Sequence, residues 1–406
     1  MYRPAESHWY QRLYGFFNGQ PDFGDDWLPI TDWMERFLSA LLHWPGCRIP
    51  DDFTWIQEGI DEVLDKVGNR IKFLKGKFGG ATKTLILPMI VRRPTPGEAT
   101  QALRACVVQT AIPSADDFKD GDLALSKPAI RRKHRNHLSA ALAAVERMLN
   151  LRETHKETHS RLDWLIFPEL AVHPRDVITH LIPFSRAHKT LILAGLTYEA
   201  LFSGEPLINS ALWIIPEWSD TSGLQIHTRR QGKRHLAPSE EEWNRTAVHL
   251  RGFRPCQWLI GFPWSSDPSA RLLWLTASVC YDATDLRLAA DLRNESDVFA
   301  IPAFNRDVKT FDQMALALHY HMFQMIIVAN NGQYGGSNAY WPHQDELARR
   351  IFHLHGQPQA SIAFLEIDDI KSFLARRNSC GPSTPEDLQS SSKKGWKYPP
   401  AGINGP

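Results

Sequence analysis

Apolar positions recur along this chain in two periods, and the first is helical. Thr31 and Asp32 stand where a helix cap would, ahead of an apolar face of Met34, Phe37, Leu38 and Leu41. A second helical pattern opens near Asp52 and places Ile56, Ile60, Val63, Leu64, Val67, Ile71 and Leu74 on one stripe. Gly79-Gly80 is its stop signal. The pattern predicts a helical N-terminal module over residues 1–95. Its first residues add Trp9, Tyr10, Tyr14, Phe16 and Phe17, aromatics suited to packing onto a neighbouring domain or to anchoring a partner.

From about Arg104 the texture changes to short apolar runs alternating with amphipathic stretches. RACVVQTAI (104–112), DWLIFPE (163–169), TLILAGLTYE (190–199), SALWIIPE (210–217), LLWLTASVCYD (272–282), DVFAIPA (297–303) and MIIVANN (325–331) read as strands. NHLSAALAAVERMLNL (136–151) reads as a helix. Such alternation predicts an α/β core with helices covering the sheets. From about Arg377 onward Pro, Gly, Ser and Lys replace core-forming residues, which predicts a disordered tail over 377–406.

Charge narrows the function classes. The 46 basic and 45 acidic residues nearly cancel, so no whole-chain field favours nucleic acid or membrane. One local run, KPAIRRKHRNH, gathers Lys127, Arg131, Arg132, Lys133 and Arg135 over residues 127–135. It suits a protein, nucleic-acid or anionic partner, or simply a solvated surface. The five cysteines (Cys47, Cys106, Cys256, Cys280 and Cys380) are odd in number and widely spaced, with no C-x-x-C. That argues against a disulfide framework or a thiolate zinc site and suits a reducing cytoplasm. No apolar run approaches the roughly 20 residues that span a bilayer. His319/His321 and His353/His355 have the spacing of a metal pair on a strand, but no acid or thiol cluster completes either. The glycines of 332–336 lack the phosphate-loop pattern. No metal and no cofactor is expected.

Three positions carry the candidate chemistry. Cys280 closes an apolar strand just before a polar segment, in VCYD. A thiol there is placed for exposure in a cleft, with the following N–H groups available to an oxyanion. Glu169, in FPEL, also follows a strand and can take a thiol proton and return it to a leaving amine. Lys233, in RQGKRHL, would favour a thiolate and stabilise a tetrahedral oxyanion. Each also has a plain reading: a buried small residue, an exposed strand-end acid, a solvated loop charge.

Taken together, in this order and these contexts, the motifs resemble those of the nitrilase (carbon–nitrogen hydrolase) superfamily. RACVVQ is similar to its first strand, FPEL to its glutamate motif, GKRHL to its lysine motif and VCYD to its cysteine motif, and the likeness runs from about Arg104 to Asp368. The resemblance implies a four-layer α-β-β-α sandwich over residues 100–376, behind the helical module. It implies hydrolysis of a non-peptide C–N bond or nitrile through a thioester or thioimidate. Glu169, Lys233 and Cys280 would take the family's three catalytic roles. It also implies a second glutamate after the lysine. Glu241 gives the best register among Glu240, Glu241 and Glu242, although all three suit a helix N-terminus beginning at Ser239. A small amide or nitrile substrate and a homo-oligomer follow from the same resemblance.

Departures bear on the substrate. After VCYD the family often has an aromatic-Pro-Glu run, and here Asp285, Leu286 and Arg287 stand in ATDLRLA instead. A looser resemblance is to the nitrilase-like domains associated with bacterial defence reverse transcriptases. It implies the alternative of a partner-binding scaffold in an antiviral system, with hydrolysis secondary or lost and the N-terminal module as the docking element.

Overall fold

The structure is a computed structural model. It describes residues 60–77, 79–92, 102–154, 161–219, 223–246, 249–265, 267, 269–356, 358–378 and 395–403. The expected helix at 31–41, the aromatics of 9–17, Cys47 and Cys380 lie outside the described residues. Two compact units divide the chain. One holds helix α1 (Ile60–Gly76) and residues Leu87–Ile90; the other holds Gly79–Ile86 and what is described from Val91 onward.

In α1, Asp61 and Glu62 open the helix and Lys75 closes it, as the helix dipole favours. Two members of the expected apolar stripe, Leu64 and Ile71, are 62% and 48% exposed. The helical expectation for residues 1–95 needs one correction. Leu85–Ile90 (β1) is a strand, with its middle four residues buried. Pro88 lies inside it, and proline cannot continue a helix interior.

The larger unit is built on two mixed sheets. The first runs β13–β2–β3–β4–β5–β6, with β2 Leu103–Gln109, β3 Trp164–Ile166, β4 Leu191–Glu199, β5 Ile208–Ser219, β6 Gly223–Gly232 and β13 Ser361–Ile367. Strands β2, β3 and β4 are parallel, and β5 and β6 continue antiparallel. In the second sheet this unit contributes β7 Cys256–Phe262, β8 Leu273–Ala277, β9 Val298–Ala303, β10 Met325–Asn330, β11 Ser337–Tyr340 and β12 Arg350–Leu354, in that order. Here β8, β9 and β10 are the parallel trio, followed by antiparallel β11 and β12. The parallel strands are buried along their length, which is why they read as unbroken apolar runs rather than as alternation.

Helices cover the outer faces. Leu138, Leu142, Val145 and Leu149 of α2 (Pro128–Thr154), with Phe184 of α3 (Ile182–His188), pack on Cys106, Val108, Leu165, Ile192 and Ala194 of the first sheet. Fully burying one such leucine stabilises the fold by about 1.5–3 kcal/mol. Helix α4 (Pro238–Thr246) follows β6. Helices α5 (Leu286–Leu292) and α6 (Val308–His321) bury Leu288 and Leu292, and Phe311, Ala315 and Leu318. The layers are thus helix, sheet, sheet, helix.

Helix α2 begins earlier than the expected 136. Proline at its first position has the fixed φ a helix start requires, and the Asp122 carboxylate accepts from Ser126 and Lys127 N–H just ahead of it. The sheets are tied to each other by buried glutamines. Gln231 of β6 donates to Gln257 of β7 at 3.1 Å, and Gln109 of β2 accepts from the Ser337 hydroxyl of β11 at 2.8 Å.

The tail expectation is corrected for part of its length. Arg377 is buried and donates to Met322 O and Ser296 O, and residues 395–403 pack onto the fold. Trp396 is the reason. Its ring meets Trp341 at 4.6 Å and Phe373 at 5.1 Å, and its N–H donates to Ser372 Oγ at 2.7 Å. No helix among the described residues is long and apolar enough to cross a membrane.

Candidate active site

Glu169, Lys233 and Cys280 each follow the C-terminal end of a strand, β3, β6 and β8 respectively. Local backbone explains how they come close. Gly195 of β4 runs against the FPEL segment: a Cβ there would sit 2.2 Å from Pro168 O and 2.4 Å from Glu169 Cα, so only glycine admits this approach. Gly232, just before Lys233, faces Phe253 O in the same way, at 1.6 Å from a built Cβ. Cys280 heads a 3-10 turn, Cys280–Thr284, with φ +45°, a left-handed backbone that few non-glycine residues adopt. Asp282 secures that turn to the lysine segment. Its carboxylate accepts from the N–H of Arg234 (2.8 Å) and of His235 (2.7 Å), and pairs with Arg254 at 3.1 Å.

The side chains converge in the interior. Lys233 Nζ donates to Glu169 Oε1 at 2.9 Å and to Glu240 Oε2 at 2.6 Å. Asn209 Nδ2 bridges the same two acids, at 2.7 Å to Glu169 and 2.8 Å to Glu240. Tyr198 OH and Ala237 N–H each donate to Glu240 at 2.7 Å, and Phe304 N–H donates to Glu169 Oε2 at 2.9 Å. The Cys280 thiol is near enough to Glu169 and Phe304 N–H for both to act on its titration. Glu169, Lys233, Glu240 and Cys280 are all buried. Burying two carboxylates with one ammonium is tolerable only because every carboxylate oxygen has a donor.

Electrostatics follow from this packing. Burial pushes the Cys280 thiol well above its usual range and the Glu169 charge adds to this, against the pull of Lys233 and Phe304 N–H. The lysine alone therefore does not make a resting thiolate. Burial would lower Lys233, but the Glu169 and Glu240 charges outweigh it and hold the ammonium form. Burial would likewise raise Glu240, and Lys233 more than reverses that, leaving it below the usual carboxylate value. An aromatic wall stands alongside: Phe118 meets Tyr198 at 6.1 Å and Phe304 at 6.0 Å, both edge-on.

Of the three glutamates after the lysine, Glu240 is the one whose carboxylate meets Lys233. Helix α4 starts at Pro238, which makes Glu240 its third residue, and from there its carboxylate reaches back to Ala237 N–H as in a capping box. Glu241 points to solvent. Glu240, Asn209, Tyr198 and the Phe304 N–H were not singled out from sequence. The available signals were a polar residue in the apolar run INSALWII and a tyrosine at the end of LILAGLTY.

The other expectations fall as follows. Asp285 caps α5 and pairs with His235 at 3.1 Å, while Leu286 is exposed. In the basic run, Lys127 pairs with Asp120, Arg131 and Arg135 with Asp176, and Lys133 with Asp117, so its charge is largely met within the chain. His319 and His321 end a helix rather than share a strand face, and among the described residues no cluster of three or more His, Cys, Asp or Glu suits a metal.

No protein-family model and no curated protein matches the chain. Solved structures of carbon–nitrogen hydrolases do match. One is XC1258 from Xanthomonas campestris, a CN-hydrolase superfamily protein with an arsenic adduct in its active site. It is 15% identical, with 72% of this chain and 98% of that chain covered and a TM-score of 0.44. A double mutant of the amidase from Nesterenkonia sp. AN1 in complex with acrylamide is 12% identical, covering 71% and 96%, with a TM-score of 0.43. Another mutant of that amidase carries the acetamide moiety of fluoroacetamide covalently on its active-site cysteine, at 12% identity, 72% and 97% coverage and a TM-score of 0.42. At these identities no activity transfers from them.

Proposed function

We propose that this chain hydrolyses the C–N bond of a small amide through a thioester on Cys280. The observation behind it is the buried Glu169 carboxylate, which accepts from Lys233 Nζ and Phe304 N–H and has the Cys280 thiol close enough to feel its charge. As the thiol attacks the carbonyl carbon, its proton passes to Glu169, so a preformed thiolate is not needed. The tetrahedral oxyanion forms beside the Lys233 ammonium, which Glu240 and Asn209 help to orient. Protonated Glu169 then gives its proton to the nitrogen, and the amine leaves. Water attacks the thioester, Glu169 takes a proton from it, and the acid and free thiol are released. A nitrile would instead add the thiol to give a thioimidate with no group expelled; one water would convert this to the thioester with loss of ammonia, and a second would release the acid and the thiol. Two carboxylates against one ammonium disfavour an anionic group beside Cys280, so an uncharged amide suits the site.

The test is intact mass after exposure to small amides, with peptide mapping. An acyl adduct confined to Cys280 is expected. Cys280→Ser and Glu169→Gln are expected to abolish turnover in folded protein. Lys233→Ala is expected to cost about 2–4 kcal/mol of transition-state stabilisation, as for a removed oxyanion donor. A biological activity that survives Cys280→Ser unchanged would replace this reading with the scaffold one.

A further inference from the structure

A second recess lies behind the lysine and cysteine segments. It is an open cleft of about 510 Å³ lined by residues 81–84 with Arg234, Gly252, Arg254, Pro255 and Arg287. Glu169, Lys233 and Cys280 are not in its lining. Four of the lining side chains are cationic (Lys83, Arg234, Arg254 and Arg287) and none is acidic.

Three acids stand next to the cleft, held by its own residues and by His235. Asp282 is held by the Arg234 and His235 N–H groups and by one Arg254 nitrogen. Asp285 binds His235 and Arg287, and Asp291 accepts from the N–H groups of Ala81 and Thr82 and from the Thr82 hydroxyl.

Arg254 is the telling residue. It is only 9% exposed, yet its Nε and Nη2 have no hydrogen-bond partner. A buried guanidinium with open donors is costly unless an acceptor arrives. Burial pulls Arg254 below the usual guanidinium value against Asp282, and the Arg234 charge adds to that pull. An anion would relieve both. Arg234 and Arg287 are exposed, with Arg234 Nη1 on Thr82 O at 3.1 Å and Arg287 on Asp285 at 3.0 Å, contacts that an arriving anion would compete with.

We propose that this cleft binds the phosphate group of a small molecule, with Arg254 and Arg234 as the fork and Lys83 and Arg287 at the rim. The Nε and Nη2 edge of Arg254 is buried and unpartnered, and it is the edge that pairs bidentately with an oxyanion that reaches it. The donors on offer exceed what the two oxygens of a carboxylate can accept, which favours phosphate. The volume leaves room for the rest of a ligand, since small-molecule sites run about 300–1,000 Å³.

The experiment is calorimetric titration of the full chain with inorganic phosphate, and separately with succinate, at low ionic strength. Variants are Arg254→Lys, which keeps the charge and removes the fork, and Lys83→Ala, an exposed position safe for folding. Arg132→Ala, an exposed arginine outside the cleft, is the control. Saturable phosphate binding is expected, weakened about ten-fold or more by each cleft variant and unchanged in the control. Absence of saturable binding, or binding indifferent to Lys83→Ala and Arg254→Lys, overturns the site. Tighter binding of succinate than of phosphate overturns the phosphate assignment.

Discussion

Glu240 and Glu241 carry the same carboxylate one position apart and meet opposite surroundings. The first is buried against Lys233, Asn209 and Tyr198; the second faces water. Glu240→Gln is therefore expected to lower kcat strongly while Glu241→Gln leaves it unchanged, measured on the same amide. Because Glu240 is held below its unfolded value, its contribution to stability is present above pH about 4.5 and is lost as pH falls through the folded value. Acid unfolding of Glu240→Gln should accordingly depend less on pH than that of the parent protein. Cys280 gives the opposite sign. Its raised thiol keeps the neutral form beyond the usual range, so alkylation of the free protein by iodoacetamide should climb only above pH about 9. Turnover, in which Glu169 takes the proton during attack, should level off well below that pH. Equal pH profiles for the two rates would contradict proton transfer to Glu169. From sequence, Glu169 and Cys280 stood out because each follows an apolar strand run, whereas Lys233, after the polar run GLQIHTRRQG, stood out only through the motif resemblance. The acid after the lysine did not. Three successive glutamates differ only in helical phase, and Pro238 sets that phase.

Among the elements, β4 shows how a strand can place a residue that it does not contain. Gly195 lets the segment after β3 lie against β4, and Glu169 is on that segment. Gly195→Ala must push back Pro168 O or Glu169 Cα, both backbone atoms. We expect a stability loss of about 1–3 kcal/mol from overpacking and a kcat loss of about 100-fold from the displaced base. Urea unfolding and kinetics on one preparation separate the two. A variant with full activity would mean that the close approach does not position Glu169. The parallel strands were legible as apolar runs because both of their faces are covered. The start of α2 was hidden by the basic run, whose charges look like loop until Asp117, Asp120 and Asp176 are seen to meet them. Strand β1 was hidden because Pro88 interrupts the pattern on which either period depends.

For the whole molecule, the layers were readable from the alternation of runs and the family likeness, whereas the return of residues 395–403 was not. A Pro- and Gly-rich composition says little about one tryptophan that finds Trp341 and Phe373. On the proposed mechanism, the two sheets divide the chemistry between them. Glu169 and Lys233 extend from strands of the first, while Cys280 and the Phe304 N–H extend from strands of the second. Gln109, Gln231 and Gln257 then hold the sheets in one alignment. During refolding from denaturant, amide turnover should recover after the β signal in circular dichroism, never before it. On the proposed mechanism, a chain with either half formed alone lacks the proton acceptor that Cys280 needs to attack an amide, so the thioester waits for both sheets to be in place.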